Sequence, residues 1–332
     1  MEKPTWILNT YGDPLSAAQQ FLLDLWVLLD LKGILAPVYK TSHKEVGFEL
    51  IEDPARLNCV DPFFPFVSIN GAIVVEQIVK QHPVDQLGVV LRSCEARALQ
   101  QVVSDGKLSV ENLLIIGVDC LGSYPIEEFE WRFQKKGKLD QITRESLQFS
   151  RQGGIAPYRF RNTCQMCSSP ADGNVDLRIG IIGLPSIQVM LIILENEKLI
   201  GRIDLSKIGH SPAEQTLLYQ RERLLETVIQ RHHSVQTRML DNLQADFPNT
   251  LSELRELLVK CLPCRDCLEA CAIYRCLTAF SNSDTLIDIN LMEHWISSCV
   301  SCGMCEQACP RNLPLPTIIL NIREKLLREV TH

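Results

Sequence analysis

Apolar residues recur at helical spacing from Ser16 to Leu31, through Phe21, Leu22, Leu25, Trp26, Leu28 and Leu29. Gly33 marks the stop, and Ile34–Tyr39 then reads as a short strand. Prolines and aromatics dominate Pro54–Ser68, which predicts an ordered loop. Asn70 is placed to cap a helix over Ala72–Gln81, with His82-Pro83 at its end. Two short apolar runs without alternation follow, Gln86–Leu91 and Leu113–Val118, and such runs fit buried parallel strands. Each leads into a predicted helix, Glu95–Val103 and Ile126–Gln134. Strand–helix–strand order implies a right-handed crossover and a parallel sheet. Asp176–Ile182 and Ile187–Leu194 read as further strands, with Glu195–Lys198 as a hairpin turn into Leu199–Ile203. Ser211-Pro212-Ala213-Glu214 then reads as a capping box opening a long helix. Its apolar positions run through Leu217, Leu218, Leu224, Leu225, Val228, Val235 and Met239 to about Leu243, a length on the order of 50 Å. Its charged face, Arg221, Glu222, Arg223 and Arg231, is expected to be solvated or an interface, and His232-His233 to be a surface pair. Thr250 caps a last helix, Leu251–Val259.

Composition narrows the classes. A chain of 332 residues should hold about two domains. The pattern divides it near Ser206–Ser211 into an α/β part with a parallel sheet, residues 1–205, and a long helix plus a helical part, residues 206–332. Net charge of −7 makes nucleic acid an unsuitable partner. The longest apolar runs, Phe21–Leu31 and Ile179–Leu194, are interrupted by Asp24 and Asp30 and by Gly183, Pro185 and Gln188, so no transmembrane segment is expected. Met1–Thr10 lacks a charged-then-apolar leader, which predicts a cytoplasmic protein. Fourteen cysteines in such a chain point to metal or redox use rather than disulfides.

Eight of the cysteines form two matching runs: Cys261, Cys264, Cys267 and Cys271, then Cys299, Cys302, Cys305 and Cys309, the latter followed by Pro310. Both have the C-x2-C-x2-C-x3-C spacing of two-cluster bacterial ferredoxins. Three thiolates two residues apart wrap a tight loop around one corner of an iron–sulfur cube. The fourth cysteine starts a helix that leads away, so it ligates the other cluster. One [4Fe-4S] cluster therefore takes Cys261, Cys264, Cys267 and Cys309, and the second takes Cys299, Cys302, Cys305 and Cys271. The C-terminal part is on this reading a helical two-[4Fe-4S], ferredoxin-like domain. The alternative is a pair of structural zinc sites, which usually set two C-x2-C pairs farther apart. Cys276 could replace Cys271 in a C-x2-C-x3-C-x4-C arrangement from Cys264.

Cys94 and Cys120 each lie just past a predicted strand, at the carboxyl edge where open α/β sheets bind ligands. Either alone would ordinarily be a small buried hydrophobe. Cys164-Gln-Met-Cys167 follows a basic loop, Arg151 to Arg161, whose charge favours thiolate. Alone this pair is ambiguous between zinc, redox and cluster chemistry. With Cys94 and Cys120 it makes four potential ligands, the number a third [4Fe-4S] cluster needs. Cys59 has no evident role.

The residues Arg92-Ser-Cys94-Glu-Ala-Arg-Ala-Leu99, Ile116-Gly-Val-Asp-Cys120, and Cys164-Gln-Met-Cys167 with Asp176-Leu-Arg-Ile-Gly180 resemble, in order, motifs of one family. It is the beta-subunit family of coenzyme F-420-reducing hydrogenases and methanogen-type formate dehydrogenases. The resemblance covers about Ser16 to Ile203. The C-terminal part resembles bacterial relatives of that family and heterodisulfide-reductase-type electron carriers. The resemblance implies an oxidoreductase subunit of a cytosolic multi-subunit complex, with FAD beside a [4Fe-4S] cluster. Its partners would be formate dehydrogenase, hydrogenase or heterodisulfide-reductase-like redox subunits. Carried over by position, Cys94, Cys120, Cys164 and Cys167 are that cluster's ligands. Family members open the first helix with Ser-Gly-Gly, suited to a flavin pyrophosphate. Here the stretch is Tyr11-Gly-Asp-Pro-Leu-Ser-Ala-Ala18, without paired glycines and with Asp13 where phosphate would sit. The alternative function is therefore a non-catalytic iron–sulfur wire and adaptor without flavin.

Overall fold

The computed structural model describes residues 3–40, 45–82, 85–106, 108–154, 159–261, 264–278 and 288–330. The first part runs β1 (Thr5–Asn9), α1 (Pro14–Leu29), β2 (Gly33–Lys40), β3 (Glu45–Ile51), α2 (Gly71–Gln81), β4 (Leu87–Arg92), α3 (Ser93–Ser104), β5 (Leu113–Val118), α4 (Ile126–Lys136), α5 (Leu139–Gln148), α6 (Asn162–Gln165), β6 (Leu177–Gly180), β7 (Val189–Leu194) and β8 (Ser211–Pro212). The second part is helical: α7 (Gln215–Asp241), α8 (Leu251–Lys260), α9 (Asp266–Glu269), α10 (Ala272–Thr278), α11 (Ile289–Ser297), α12 (Met304–Ala308) and α13 (Leu315–Val330). Among the described residues, no helix is long and apolar enough to cross a membrane.

The strands form one sheet in the order β3-β2-β4-β5-β6-β7-β1-β8. Its centre, β2, β4, β5 and β6, is parallel, and the flanking pairings are antiparallel. The expected mixed α/β class with a helical C-terminal part is what the chain adopts. Both faces of the central strands are buried, which is why their sequences read as unbroken apolar runs. Ile34, Val90, Ile116 and Ile179 pack with Phe21, Leu22 and Leu25 of α1 on one face. Leu35, Val89 and Leu91 pack with Ala72, Val75, Ala96 and Leu99 of α2 and α3 on the other. The split follows the two-residue period of a strand. Ala272 of α10 belongs to that second cluster, so the helical part docks on α3.

Several boundaries differ from the sequence reading for identifiable reasons. Helix α1 ends at Asp30, which takes the left-handed conformation at φ 48°, while Gly33 opens β2. Asn70 does cap α2, accepting from Ala72 N at 3.0 Å; Pro83 lies outside the described residues. The strand expected at Leu199–Ile203 is a 3-10 turn, Glu197–Leu199, and a single bridge between Ile200 and Ile203. The expected capping box does not form. Ser211 and Pro212 pair instead with Ile7 and Trp6 of β1, so the helix starts at Gln215 with Glu214 at its cap. Helix α7 has 27 residues, about 40 Å.

Two charged positions of α7 also turn inward. Arg221 is buried, and its guanidinium donates to both carboxylate oxygens of Asp119, at 2.7 and 3.1 Å, and to the Ile182 carbonyl at 3.0 Å. His232 is buried, its Nδ1 2.6 Å from the Cys167 carbonyl, and burial pulls its pKa down. Glu222, Arg223 and His233 face solvent as expected, while Arg231 donates to the Gly153 carbonyl. Helix α7 thus lies across the carboxyl edge of the sheet. Gly183 permits the approach: at φ +84° it stands where a Cβ would come within 3.0 Å of the Arg221 backbone.

Candidate metal centres

Each ferredoxin-like run folds as a short loop–helix unit, and the two interleave. Cys261 follows α8, Cys267 lies in α9, and Cys309 follows α12. Arg265 takes the left-handed conformation at φ 53°, turning the loop between Cys264 and Cys267. Cys261, Cys264, Cys267 and Cys309 line a single open cavity of about 260 Å³, walled by Leu258, Leu268 and Leu313. Burial pushes the Cys267 thiol up to about 11, helped by Cys309, Cys264 and Cys261. Arg311 donates to the Cys261 sulfur at 3.2 Å.

Cys271, Cys299, Cys302 and Cys305 line a second, enclosed cavity beside Trp295. Its free volume is about 20 Å³. The Trp295 indole donates to Cys271 Sγ at 3.3 Å, and the Ser301 N–H to Cys299 Sγ at 3.4 Å. Burial, then Cys302 and Cys299, pushes the Cys271 thiol up to about 12. Burial also raises Cys305, which senses Cys299, Cys302 and Cys271 and, across the gap to the first set, Cys267. One cavity is thus lined by Cys261, Cys264, Cys267 and Cys309, and the other by Cys271, Cys299, Cys302 and Cys305. Cys276 is buried on α10 and lines neither cavity; Cys59 is exposed, its sulfur on the Arg56 carbonyl.

The third set forms at the sheet edge. Cys94 opens α3 directly after β4, and Cys120 follows β5; the register Arg92↔Val118 brings both to one end of the sheet. Cys164 lies in α6 and Cys167 just beyond it. The Cys94, Cys164 and Cys167 thiols are raised, first by burial. Cys164 senses Cys120 next, Cys94 senses it after Glu95, and Cys167 after Arg97 and the Ser169 backbone. The Cys164 thiol stands at about 12, opposed by Arg161. Cys94 also senses Cys302 of the second set. Buried thiols of this kind stay protonated without metal and release protons as they ligate it. Among the described residues, no three His, Cys, Asp or Glu side chains close on a single ion. A cube, whose four irons each take one thiolate, asks for a wider spacing.

In the loop before Cys164, Arg161 is the residue whose charge opposes the rise of the Cys164 thiol. Arg159 pairs with Glu128 at 3.1 Å and Arg151 is exposed. Sequence reasoning missed a seam between the third set and the second. Thr163 Oγ1 donates to the Ser301 carbonyl at 2.7 Å, Asn162 to Glu306 at 2.9 Å, and Gln307 to the Val67 carbonyl at 3.2 Å. Gly303 sits in this seam at φ +74°, and a Cβ there would overlap the Thr163 methyl. Gly303→Ala should therefore cost about 2–4 kcal/mol, combining left-handed strain with overpacking, read as a lowered unfolding midpoint. An unchanged midpoint would mean that the seam is loose.

No family model matches the chain. The F420-dependent formate dehydrogenase subunit beta of Methanocaldococcus jannaschii is 22% identical over 95% of this chain and 89% of its own length. This is the beta-subunit family that the motifs resemble. A chain of the F420-reducing nickel–iron hydrogenase complex from Methanosarcina barkeri superposes with a TM-score of 0.47 and 9% identity, over 72% of this chain and 93% of its own. Beside this beta-subunit resemblance stands one structural departure, at the amino end of α1. Asp13 caps that helix itself, accepting from Ser16 N at 3.2 Å and Ser16 Oγ at 2.9 Å, and pairs with Arg144 at 2.9 Å. A carboxylate already caps this helix end, the kind of site that would otherwise draw a phosphate. The residues at this helix end therefore do not fit a flavin pyrophosphate.

Proposed function

We propose that the chain is an iron–sulfur electron-transfer subunit of a multi-subunit, cytoplasmic redox complex. Cys94, Cys120, Cys164 and Cys167, then Cys271, Cys299, Cys302 and Cys305, then Cys261, Cys264, Cys267 and Cys309 each hold one [4Fe-4S] cluster. The observation that carries this reading is adjacency: Cys167 and Cys299 line one pocket, and Cys305 and Cys309 pack with Cys267, so the three thiol sets follow one another from the sheet edge to the open cavity. Clusters bound there supply single-electron transfer. The protein's part is to bury the thiols, to cross-link the sets through shared loops, and to leave only the Cys264 end exposed. The part from β1 through β8 serves as the α/β unit, and the helical part from α7 onward as the carrier of the paired clusters. The name of the Methanocaldococcus jannaschii relative supports a formate dehydrogenase as the partner, with hydrogenase or heterodisulfide-reductase-type subunits as related choices.

The capped α1 terminus favours a second reading on one point, that the chain works as a wire and adaptor without FAD. Acid denaturation of the anaerobically purified protein should then release no flavin, and reduced F420 added to the chain alone should leave its iron–sulfur absorbance unbleached. Stoichiometric FAD with prompt bleaching would restore the flavin-containing form. A protein that dithionite cannot bleach at all would end the electron-transfer reading.

A further inference from the structure

Arg161 is buried, stands three residues before Cys164, and reaches Met304 in the loop that carries Cys302 and Cys305. The thiols that sense its charge are Cys164 and Cys94 on one side and Cys302 on the other. Its hydrogen bonds go to neutral acceptors: Nε to the Tyr124 carbonyl at 3.2 Å, Nη2 to the Val67 carbonyl at 2.6 Å, and Nη1 to Met304 Sδ at 3.5 Å. Its guanidinium also lies 5.7 Å from the centre of the Phe66 ring. Among the described residues, no carboxylate lies within ion-pair distance of it. Glu95 and Glu306 sense its charge from farther off. Each is held by other donors: Glu95 by the Arg92 and Gly71 N–H groups, Glu306 by Asn162. Arg92, the other buried cation nearby, donates to the Phe64 and Phe66 carbonyls.

A guanidinium stays protonated at any working pH, so this is a fixed positive charge in a medium of low polarity. Resting on the cluster assignment above, we propose that Arg161 is a positioning residue for charge, shared by the two neighbouring centres: it favours the more negative, reduced state of both and so holds their reduction potentials together. Net charge and hydrogen bonding around a cluster are recognised determinants of its potential. Met304 lies between Cys302 and Cys305, so the bond to its sulfur ties the charge to the loop that carries the second set. Arg161 does not line the cavity of the first set, at Cys261, Cys264, Cys267 and Cys309, which serves as an internal reference.

The test is a dithionite titration of the anaerobically assembled full chain, followed by electron paramagnetic resonance, for the parent, Arg161→Gln and Arg161→Lys. Iron and sulfide are counted first in each, so a parent without clusters overturns the assignment rather than the role of Arg161. Arg161→Gln keeps a donor but drops the charge. It should shift the reduction equilibrium of two centres at least about tenfold toward the oxidised form, about 59 mV for one electron, and leave the third centre in place. Arg161→Lys should restore most of the shift. Equal shifts of all three centres, or none, would overturn the proposal. If Arg161→Gln assembles with missing iron while Arg161→Lys assembles fully, the charge requirement stands; iron missing from both would assign Arg161 to packing alone.

Discussion

Anaerobically assembled protein carrying Cys164→Ala is expected to hold about four fewer irons than the parent, whose full complement is about twelve on three cubes. The expectation rests on where the sulfurs lie. Cys164 senses Cys120 and Cys167 among the buried thiols at the sheet edge, and no other described cysteine stands ready in that loop. Three thiols remain, all in a site whose burial disfavours free thiolate, so a partial set has little to hold a cube against loss. The two C-terminal sets draw on loops 261–271 and 299–309 and should keep their metal. Cys276→Ala provides the contrast, since Cys276 lines neither C-terminal cavity and its loss should leave the iron count unchanged. A Cys164→Ala protein that retains every iron would remove the sheet-edge centre from the account.

Arg221→Ala is expected to destabilise the chain by about 3–5 kcal/mol, measured by chemical denaturation. Asp119 is fully buried, its side chain 0% exposed, and accepts from four donors: both Arg221 nitrogens and the backbone N–H groups of Ile181 and Ile182 at 2.9 and 3.1 Å. Removing the guanidinium leaves an uncompensated carboxylate in the interior. Because Asp119 precedes Cys120, the same change should also loosen iron at the sheet-edge site. The double variant Arg221→Met with Asp119→Asn should recover much of the loss, since it removes both charges. A single variant within about 1 kcal/mol of the parent would show that α7 is held by packing instead.

The grouping of the C-terminal cysteines is the most legible part of this chain, because short-range spacing fixes which of them share a loop. Three cysteines two apart define one loop wherever it sits, and the crossed partner follows from the helix after it. Cys94 and Cys120 were legible for a different reason: parallel strands of similar length end on the same edge. Long-range polar contacts were not legible. Arg221 and His232 lie on a helix whose pattern alternates charge, and only the crossing of α7 over the sheet edge decides that they turn inward. The Ser211–Glu214 motif fits a capping box, yet pairing with Trp6 and Ile7 competes for the same backbone and wins. Strand β3 is short and places Val46 and Phe48 in the interior; β1 is only five residues and is set by β7 as its partner. The seam of Asn162, Thr163 and Arg161 against Ser301–Glu306 joins positions far apart in the chain and leaves no local trace.

The most direct measurement counts iron, acid-labile sulfide and zinc per chain in protein purified without oxygen. The account predicts about twelve iron and about twelve sulfide, with zinc absent. Stoichiometric zinc with no labile sulfide would contradict it.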